Sequence, residues 1–222
     1  MNKQSATKSI FLTALILTLS FPATSFGNPE NEMKGSLKEH KGSMAESKGS
    51  GSEMKEDAMM AKWQEYVTPN ENHKVLNALV GNWDHTVKWW MSADKEPEVS
   101  AGTSEIKWIM GGRFIQQMTK GTSMGQPFEG MGFIGYNNGT KQYTSLWLDN
   151  MGTGIMSGAG QYDSATKTFN EKGQYTCPFK TESTFRGVTK IIDDDHFTYE
   201  MYSMGFDGKE FLSMVVDYIR TK

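Results

Sequence analysis

His85 is the residue of this sequence whose type and position point most directly to chemistry. Apolar and polar residues alternate in the segment "GNWDHTVKW", from Gly81 to Trp89, so a β-strand would place His85 on the same face as Trp83 and Val87. An imidazole on that face could bind a polar group of a ligand, act as a base or ligate haem iron. The alternative is a structural histidine, hydrogen-bonded inside the fold. It is favoured because no base or nucleophile lies at the spacing from His85 that a catalytic motif would have.

Asp149 is the second candidate, near the end of the aromatic segment "YTSLWLDNMGTG". A carboxylate on the inward face of a strand is costly without a partner, and His85, Arg186 or Arg113 could supply one. Asp149 would then anchor the polar end of a ligand. The alternative is an aspartate that caps the turn before Gly152.

The remaining motifs do not predict a catalytic or metal site. The segment "GGRF" at residues 111–114 lacks the helix and the Lys-Ser pair of a phosphate loop. Four consecutive residues such as "DDDH" at 193–196 cannot all face one ion, so a tight turn is expected there. Cys177 is the single cysteine, and we expect it to be a buried apolar residue. We therefore predict no catalytic residue, no metal and no cofactor, with haem as a minority alternative.

A short helix and ten strands are predicted to position these residues. The segment "NENHKVLNALV" at 70–80 has apolar residues at helical spacing, with Asn70 or Asn72 as its N-cap. A further helix over 57–67 is expected to pack on the outside. After Gly81 the pattern alternates to the end of the chain, with turn residues between the strands. The predicted strands are Trp83–Met91, Val99–Met110, Arg113–Lys120, Phe128–Tyr136, Gln142–Asn150, Gly154–Tyr162, Thr168–Thr176, Ser183–Ile192, Phe197–Met204 and Glu210–Arg220.

The short connections between these strands make consecutive strands antiparallel neighbours. A ten-stranded meander can close on itself, which removes the edges that invite aggregation. The predicted fold class is therefore all-β: a ten-stranded antiparallel meander barrel with a short N-terminal helix closing one end.

Alternation along each strand predicts which side chains face the interior of this barrel. Large aromatic residues, glycines and polar groups share that face, and a barrel of this size leaves room for side chains or for one small ligand. The candidate ligand-binding residues are His85, Trp89, Trp108, Gln116, Tyr143, Trp147, Asp149 and Tyr199.

The N-terminal residues are predicted to lie outside the barrel domain, which we place at 61–222. Residues 1–27 contain two lysines, an apolar run and then small residues, which is typical of a secretory signal. The apolar run is too short for a comfortable membrane span. Residues 28–60 are rich in Gly, Ser, Lys and Glu and are expected to form a disordered linker. We expect export to the periplasm or the medium, with no integral membrane segment after cleavage.

Three residues resemble the signature of the calycin superfamily, which contains lipocalins and fatty-acid-binding proteins. They are Gly81 and Trp83, in a Gly-x-Trp arrangement, and Arg220 in the last strand. The resemblance implies that Arg220 lies across the indole of Trp83, where cation–π contact would stabilise it.

A closer resemblance is to the domain of unknown function 1579 group of bacterial proteins. It rests on "HKVLNALVGNW", "IMGGRFIQQ", "GQPFEGMGFIGYNN", "YTSLWLDNMGTGIMSGAGQYD" and "DDDHFTYEMY", closing on "YIR". Together these cover the chain from about His73 to Arg220. The resemblance implies a calycin-type barrel and carries no activity with it.

Three classes of function follow from this sequence. The first is a binding protein for a small, largely apolar molecule held inside the barrel. The second is an enzyme or haem-binding protein working there, and the third is a structural or partner-binding module with a filled barrel. The net charge of −3 gives no general attraction to nucleic acid, and the oligomeric state is not specified.

Overall fold

The computed structural model describes residues 56–177 and 180–221. The predicted signal segment, 1–27, and the predicted linker up to residue 55 lie outside the described residues. Within the described part, no helix combines the length and the apolar character needed to cross a membrane.

Ten antiparallel strands form a closed barrel in which each strand pairs with its neighbours along the chain and β1 pairs with β10. This confirms the predicted fold class. The strands are β1 Gly81–Trp89, β2 Glu98–Ile109, β3 Phe114–Ser123, β4 Gln126–Asn137, β5 Gln142–Asp149, β6 Met156–Asp163, β7 Thr168–Cys177, β8 Lys180–Asp193, β9 His196–Met204 and β10 Glu210–Arg220.

The predicted helix over 70–80 follows the first helix, α1 Glu56–Val67, and is two shorter pieces, α2 Glu71–Lys74 and a 3₁₀ helix Val75–Leu79. Asn70 is the N-cap, and its side chain accepts a hydrogen bond of 3.0 Å from the Asn72 N–H. The 3₁₀ winding brings side chains three residues apart onto one side of the helix. Leu76 and Leu79 are related in this way, and both are buried in the core.

The first helix, α1 Glu56–Val67, exposes its aromatic side chains and is tied to two barrel turns at its C-terminal end. The Asn138 side-chain amide donates hydrogen bonds to the carbonyls of Glu65, Tyr66 and Thr68. The Arg113 guanidinium donates to the carbonyl of Val67 at 2.9 Å. These bonds satisfy carbonyls that a helix end otherwise leaves to water.

One end of the barrel, which we call the sealed end, is closed by the 3₁₀ helix packed on Trp83. Trp83 is 1% exposed, and its indole N–H donates to the Leu79 carbonyl at 2.9 Å. The Phe197 ring meets the indole edge-on, with centroids 4.6 Å apart. Tryptophan at the start of the first strand therefore fills the space between the helix and the barrel wall.

The guanidinium of Arg220 covers this tryptophan from outside, with its carbon 4.1 Å from the ring centroid. The same group donates hydrogen bonds of 2.8 Å to the carbonyls of Val80 and Asp194. Gly81 makes this approach possible, because a Cβ there would lie 2.1 Å from Arg220 Nη1. Gly81 also has φ +146°, a conformation that favours glycine. The Gly-x-Trp and arginine contact predicted from the sequence is therefore present.

In the described part of the chain, the other end of the barrel, which we call the open end, is formed by loops. It comprises residues 90–97, 124–125, 150–155 and 205–209, which connect the strands that point away from the sealed end. Large apolar side chains are exposed here: Met91, Met124, Met151, Ile155 and Phe206.

Candidate functional site

The barrel encloses a cavity of about 1120 Å³ that reaches from the sealed end to the open end. Its floor is formed by Leu79, Ile106 and Ile115, next to the plug. Its upper wall includes the exposed side chains of Met91 and Phe206. Side chains therefore do not fill the interior, and the cavity is large enough for a ligand of drug-like size.

Most of the wall is apolar and aromatic. Trp89 and Trp147 line it towards the open end, and the ring of Phe128 stacks on Trp147 with centroids 6.5 Å apart. Tyr175 on β7 and Phe185 on β8 line another part of the wall, with ring centroids 6.4 Å apart. Methionines complete the surface, and their flexible thioethers adapt to different ligand shapes.

His85 belongs to a hydrogen-bonded network on one wall of the cavity. Its Nδ1 is 3.3 Å from the Ser104 hydroxyl, which is 2.8 Å from the Thr119 hydroxyl. The Gln117 amide donates to both hydroxyls and, at 3.1 Å, to the hydroxyl of Tyr218. Strands β1, β2, β3 and β10 are neighbours in the closed barrel, which explains how these residues meet.

Burial keeps this network uncharged. It lowers the pKa of the His85 imidazole, and the nearby Asp84 carboxylate opposes that change more weakly. Burial also raises the pKa of Tyr218 to about 12. His85 is therefore neutral at neutral pH and hydrogen-bonded inside the barrel, as in the second of the two interpretations of the sequence.

Glu171 forms a second polar cluster on β7, which the sequence interpretation missed. Its Oε2 accepts a hydrogen bond of 2.5 Å from the Ser145 hydroxyl on β5. Its Oε1 accepts a longer one, 3.5 Å, from the Tyr199 hydroxyl on β9. Burial raises the pKa of the Glu171 carboxyl, and the two hydroxyl donors offset part of that rise.

Two glycines leave room for this carboxyl group. A Cβ at Gly158 on β6 would lie 2.6 Å from Oε2, and one at Gly187 on β8 would lie 2.6 Å from Oε1. The Glu171 carboxyl thus occupies a recess in the wall. Any side chain larger than that of glycine at 158 or 187 would take up this space. The alternation of residues along β7 is the sequence signal for this position. It places Glu171 on the inward face with Phe169 and Tyr175, whereas Lys172 faces outward.

Asp149 lines the cavity near the open end without a cationic partner among the described residues. Its Oδ2 accepts from the Trp147 indole N–H at 2.8 Å, and its Oδ1 accepts from the Met151 backbone N–H at 2.9 Å. The turn-capping interpretation therefore describes Asp149. The expected ion pair is absent because Arg186 binds Glu210 at 2.8 Å and Arg113 binds backbone carbonyls.

Five of the eight candidate ligand-binding residues line the cavity: His85, Trp89, Trp147, Asp149 and Tyr199. Tyr143 and Trp108 instead belong to the sealed end, where they donate hydrogen bonds to the Asn72 carbonyl and the Asn77 side chain.

Two further side chains differ from the sequence predictions. Gln116 lies on the outer face of β3, where its amide is 3.7 Å from Met131 Sδ, and its neighbour Gln117 faces the cavity instead. Adjacent residues of a strand face opposite sides, so a register shift of one residue would exchange the faces of the two glutamines. Cys177, expected to be buried, is partly exposed and lines the cavity.

A closed ten-stranded antiparallel barrel, plugged at one end and hollow towards the other, is a calycin-like barrel. Residues 68–220 match the family described as "Protein of unknown function (DUF1579)", and the chain belongs to this family. The description of the family carries no activity. No curated protein matches the chain.

Among solved structures, the chain is similar to Rv2717c from M. tuberculosis. The two share 14% identity at a TM-score of 0.52, over 70% of this chain and 100% of Rv2717c, which indicates a common fold. A redesigned β-barrel also matches, at 15% identity over 67% of this chain and 96% of its own length. Its TM-score of 0.36 is too low to support a comparison.

Proposed function

We propose that this protein binds one small, largely apolar molecule inside the barrel. The observation that carries the proposal is the cavity of about 1120 Å³, bounded by the plug at one end and by exposed apolar side chains at the other. Pockets for small molecules commonly have volumes of about 300–1,000 Å³ and mostly apolar walls with a few polar groups. This cavity is slightly larger than that range, and its wall is mostly apolar. Its deeper polar groups belong to the His85 and Glu171 clusters, and further charged side chains line it near the open end.

The character of the cavity wall favours the same proposal. Removing apolar surface from water is favourable in proportion to the area covered. A bound apolar molecule would cover Trp89, Trp147 and Phe185, which line the cavity. A filled barrel, as a purely structural role would favour, would not leave this volume.

Titration with the neutral dye Nile red tests this proposal. We expect fluorescence enhancement with an affinity better than about 1 μM. Val87→Trp should weaken binding, because Val87 lines the cavity. Thr86→Trp is the matched control, since Thr86 is the next residue along β1 and is exposed on the outer face. Weak binding by the wild type, or equal loss in both variants, would contradict the proposal.

Native mass spectrometry of protein purified from its own host would identify the occupant. A bound organic mass is the expected result. A Soret band in the absorption spectrum of the same sample would instead support the haem-binding alternative. An empty barrel that also fails to bind Nile red would support a structural role.

Export belongs to the same proposal and rests on the sequence of residues 1–27 alone. N-terminal sequencing of the mature protein from the host should show cleavage after Ser25 or Gly27. An intact Met1 in cell extracts would contradict export through this segment.

A further inference from the structure

The cavity contains one deeply placed acidic group whose charge is not balanced by the protein. Glu171 lies one inward position above Phe169, a member of the sealed-end core. None of the ion pairs formed by the described residues includes Glu171. Both of its hydrogen-bond partners, Ser145 and Tyr199, are uncharged hydroxyl donors. Buried carboxylates are ordinarily paired with a cation.

The recess described above holds the carboxyl group in place without satisfying its charge. Gly158 and Gly187 flank it on the two adjacent strands, and any larger residue there would collide with its oxygens. Burial first, and then the negative charge of Glu171, raise the pKa of Tyr199 well above its usual range, so this hydroxyl remains a donor. The wall thus presents a fixed hydrogen-bond acceptor towards the cavity.

The other charged groups of the cavity wall do not offer Glu171 a partner. His85, across the barrel, is neutral for the reason given above. Among the described lining residues Lys209 carries the one permanent positive charge, and it lies in the 205–209 loop of the open end. The other acidic lining residues are Asp94, Glu98, Asp149, Asp207 and Glu210. Glu210 is paired with Arg186, and the remaining acidic lining residues have one lysine among them, so the lining carries a formal net negative charge that favours cations over anions.

Aromatic rings lie beside the recess on its open-end side. Phe185 pairs with Gly173, one inward position above Glu171 on β7, and Tyr175 follows at the next. The ring of Tyr199 contacts the carboxylate through its hydroxyl. Rings around an acidic group form the environment that binds ammonium groups through combined ion-pair and cation–π contacts.

We infer that the ligand of this cavity is an apolar molecule with one positively charged group, and that the Glu171 carboxylate pairs with that charge at the cavity floor. This inference rests on the proposed function and specifies its ligand class. The charged end lies deep, beside Ser145 and Tyr199, and the apolar part extends towards the methionines of the open end. Fatty acids are excluded as the preferred ligands, because their carboxylate would face Glu171 in a site of low dielectric.

Three probes with the same twelve-carbon chain test the inference: dodecylamine, which is protonated at neutral pH, neutral dodecanol and anionic dodecanoate. The affinity of each probe is measured by its displacement of Nile red from the full mature protein. Each probe is used below its critical micelle concentration. We expect dodecylamine to bind tightest and dodecanoate weakest. Glu171→Gln should weaken dodecylamine binding about tenfold or more, the scale of one hydrogen-bonded charge pair, while dodecanol binding stays within about twofold.

The matched control is Glu129→Gln, which removes the same charge from the outer face of β4 and should leave all three affinities unchanged. Unchanged Nile red affinity and circular dichroism would show that Glu171→Gln is folded. Equal affinity of the wild type for dodecylamine and dodecanol would overturn the inference and leave the proposed function intact. Failure of Nile red and all three probes to bind the wild type would overturn both.

Discussion

The two ends of the barrel are built from different kinds of side chain. At the sealed end Trp83 is 1% exposed and Leu76 is 0% exposed, and rigid aromatic rings are fixed by hydrogen bonds to backbone carbonyls. At the open end Met91 is 70% exposed and Phe206 is 83% exposed. Rigid packing specifies one structure, whereas exposed flexible thioethers tolerate many contacts.

This difference separates folding stability from access to the cavity. Regions that open for ligands generally belong to the less stable part of a structure. We therefore expect substitutions at the sealed end to change the free energy of unfolding, and substitutions at the open end to change binding. The polar clusters of His85 and Glu171 lie between the ends and should affect both quantities.

The largest effect is expected at Trp83. Trp83→Ala removes the side chain that joins the 3₁₀ helix to Phe197 and Arg220. Such truncations of buried aromatic residues cost about 3–5 kcal/mol. Chemical denaturation followed by circular dichroism measures this loss. Trp63→Ala is the control, because Trp63 on α1 is 59% exposed, and a similar loss in both variants would refute the role of the seal.

A smaller effect is expected from Gly81→Ala. The added methyl group would meet Arg220 Nη1, and the residue would keep a φ of +146°. Conformations of this kind cost about 1–3 kcal/mol for residues other than glycine. Gly152→Ala at the open end is the matched control, since a Cβ there meets only the Gly154 nitrogen, at 4.0 Å. In the same denaturation experiment, the free energy of unfolding of Gly152→Ala should differ from that of the wild type by no more than about 0.5 kcal/mol. A free energy of unfolding for Gly81→Ala equal to that of the wild type would contradict the expected backbone strain at this position.

The barrel and its seal could be predicted from the sequence because their signals are local. Alternation of period two, turn residues between strands and the Gly81-Asn82-Trp83 segment each lie within a few residues. The contact of Arg220 with the indole is what the calycin resemblance implies, and the pairing of Trp83 with Arg220 across β1 and β10 places the two side chains together.

The Glu171 recess could not be predicted in this way. Its parts come from five consecutive strands, with Ser145 on β5, Gly158 on β6, Gly187 on β8 and Tyr199 on β9. Their meeting depends on the register of four strand pairs, since one residue of slip turns each side chain to the other face. The adjacent glutamines of β3 show the same ambiguity, which the alternation pattern alone does not resolve.

Glu171 also predicts a pH dependence of stability. Its pKa in the folded protein is raised above the ordinary value of 4.5, mainly by burial. The folded state therefore holds this proton more tightly than the unfolded chain, and stability is lost as the pH rises from the ordinary pKa through the raised one. Glu171→Gln lacks this loss, so its free energy of unfolding should increase relative to that of the wild type over that range. Denaturation midpoints at several pH values measure the difference, and parallel curves for both proteins would contradict it.

The smallest effect on stability is expected at the open end. Met91→Ser combined with Met151→Ser changes two side chains that are 70% and 44% exposed, so each should alter the free energy of unfolding by less than about 0.5 kcal/mol. Both residues line the cavity, so the same variant should bind Nile red more weakly, because the ligand loses apolar contacts where it leaves the barrel. Denaturation and dye titration on one sample compare the two effects. A large loss of stability with unchanged dye affinity would reverse the roles of the two ends and place the binding determinants deeper, around Glu171 and His85.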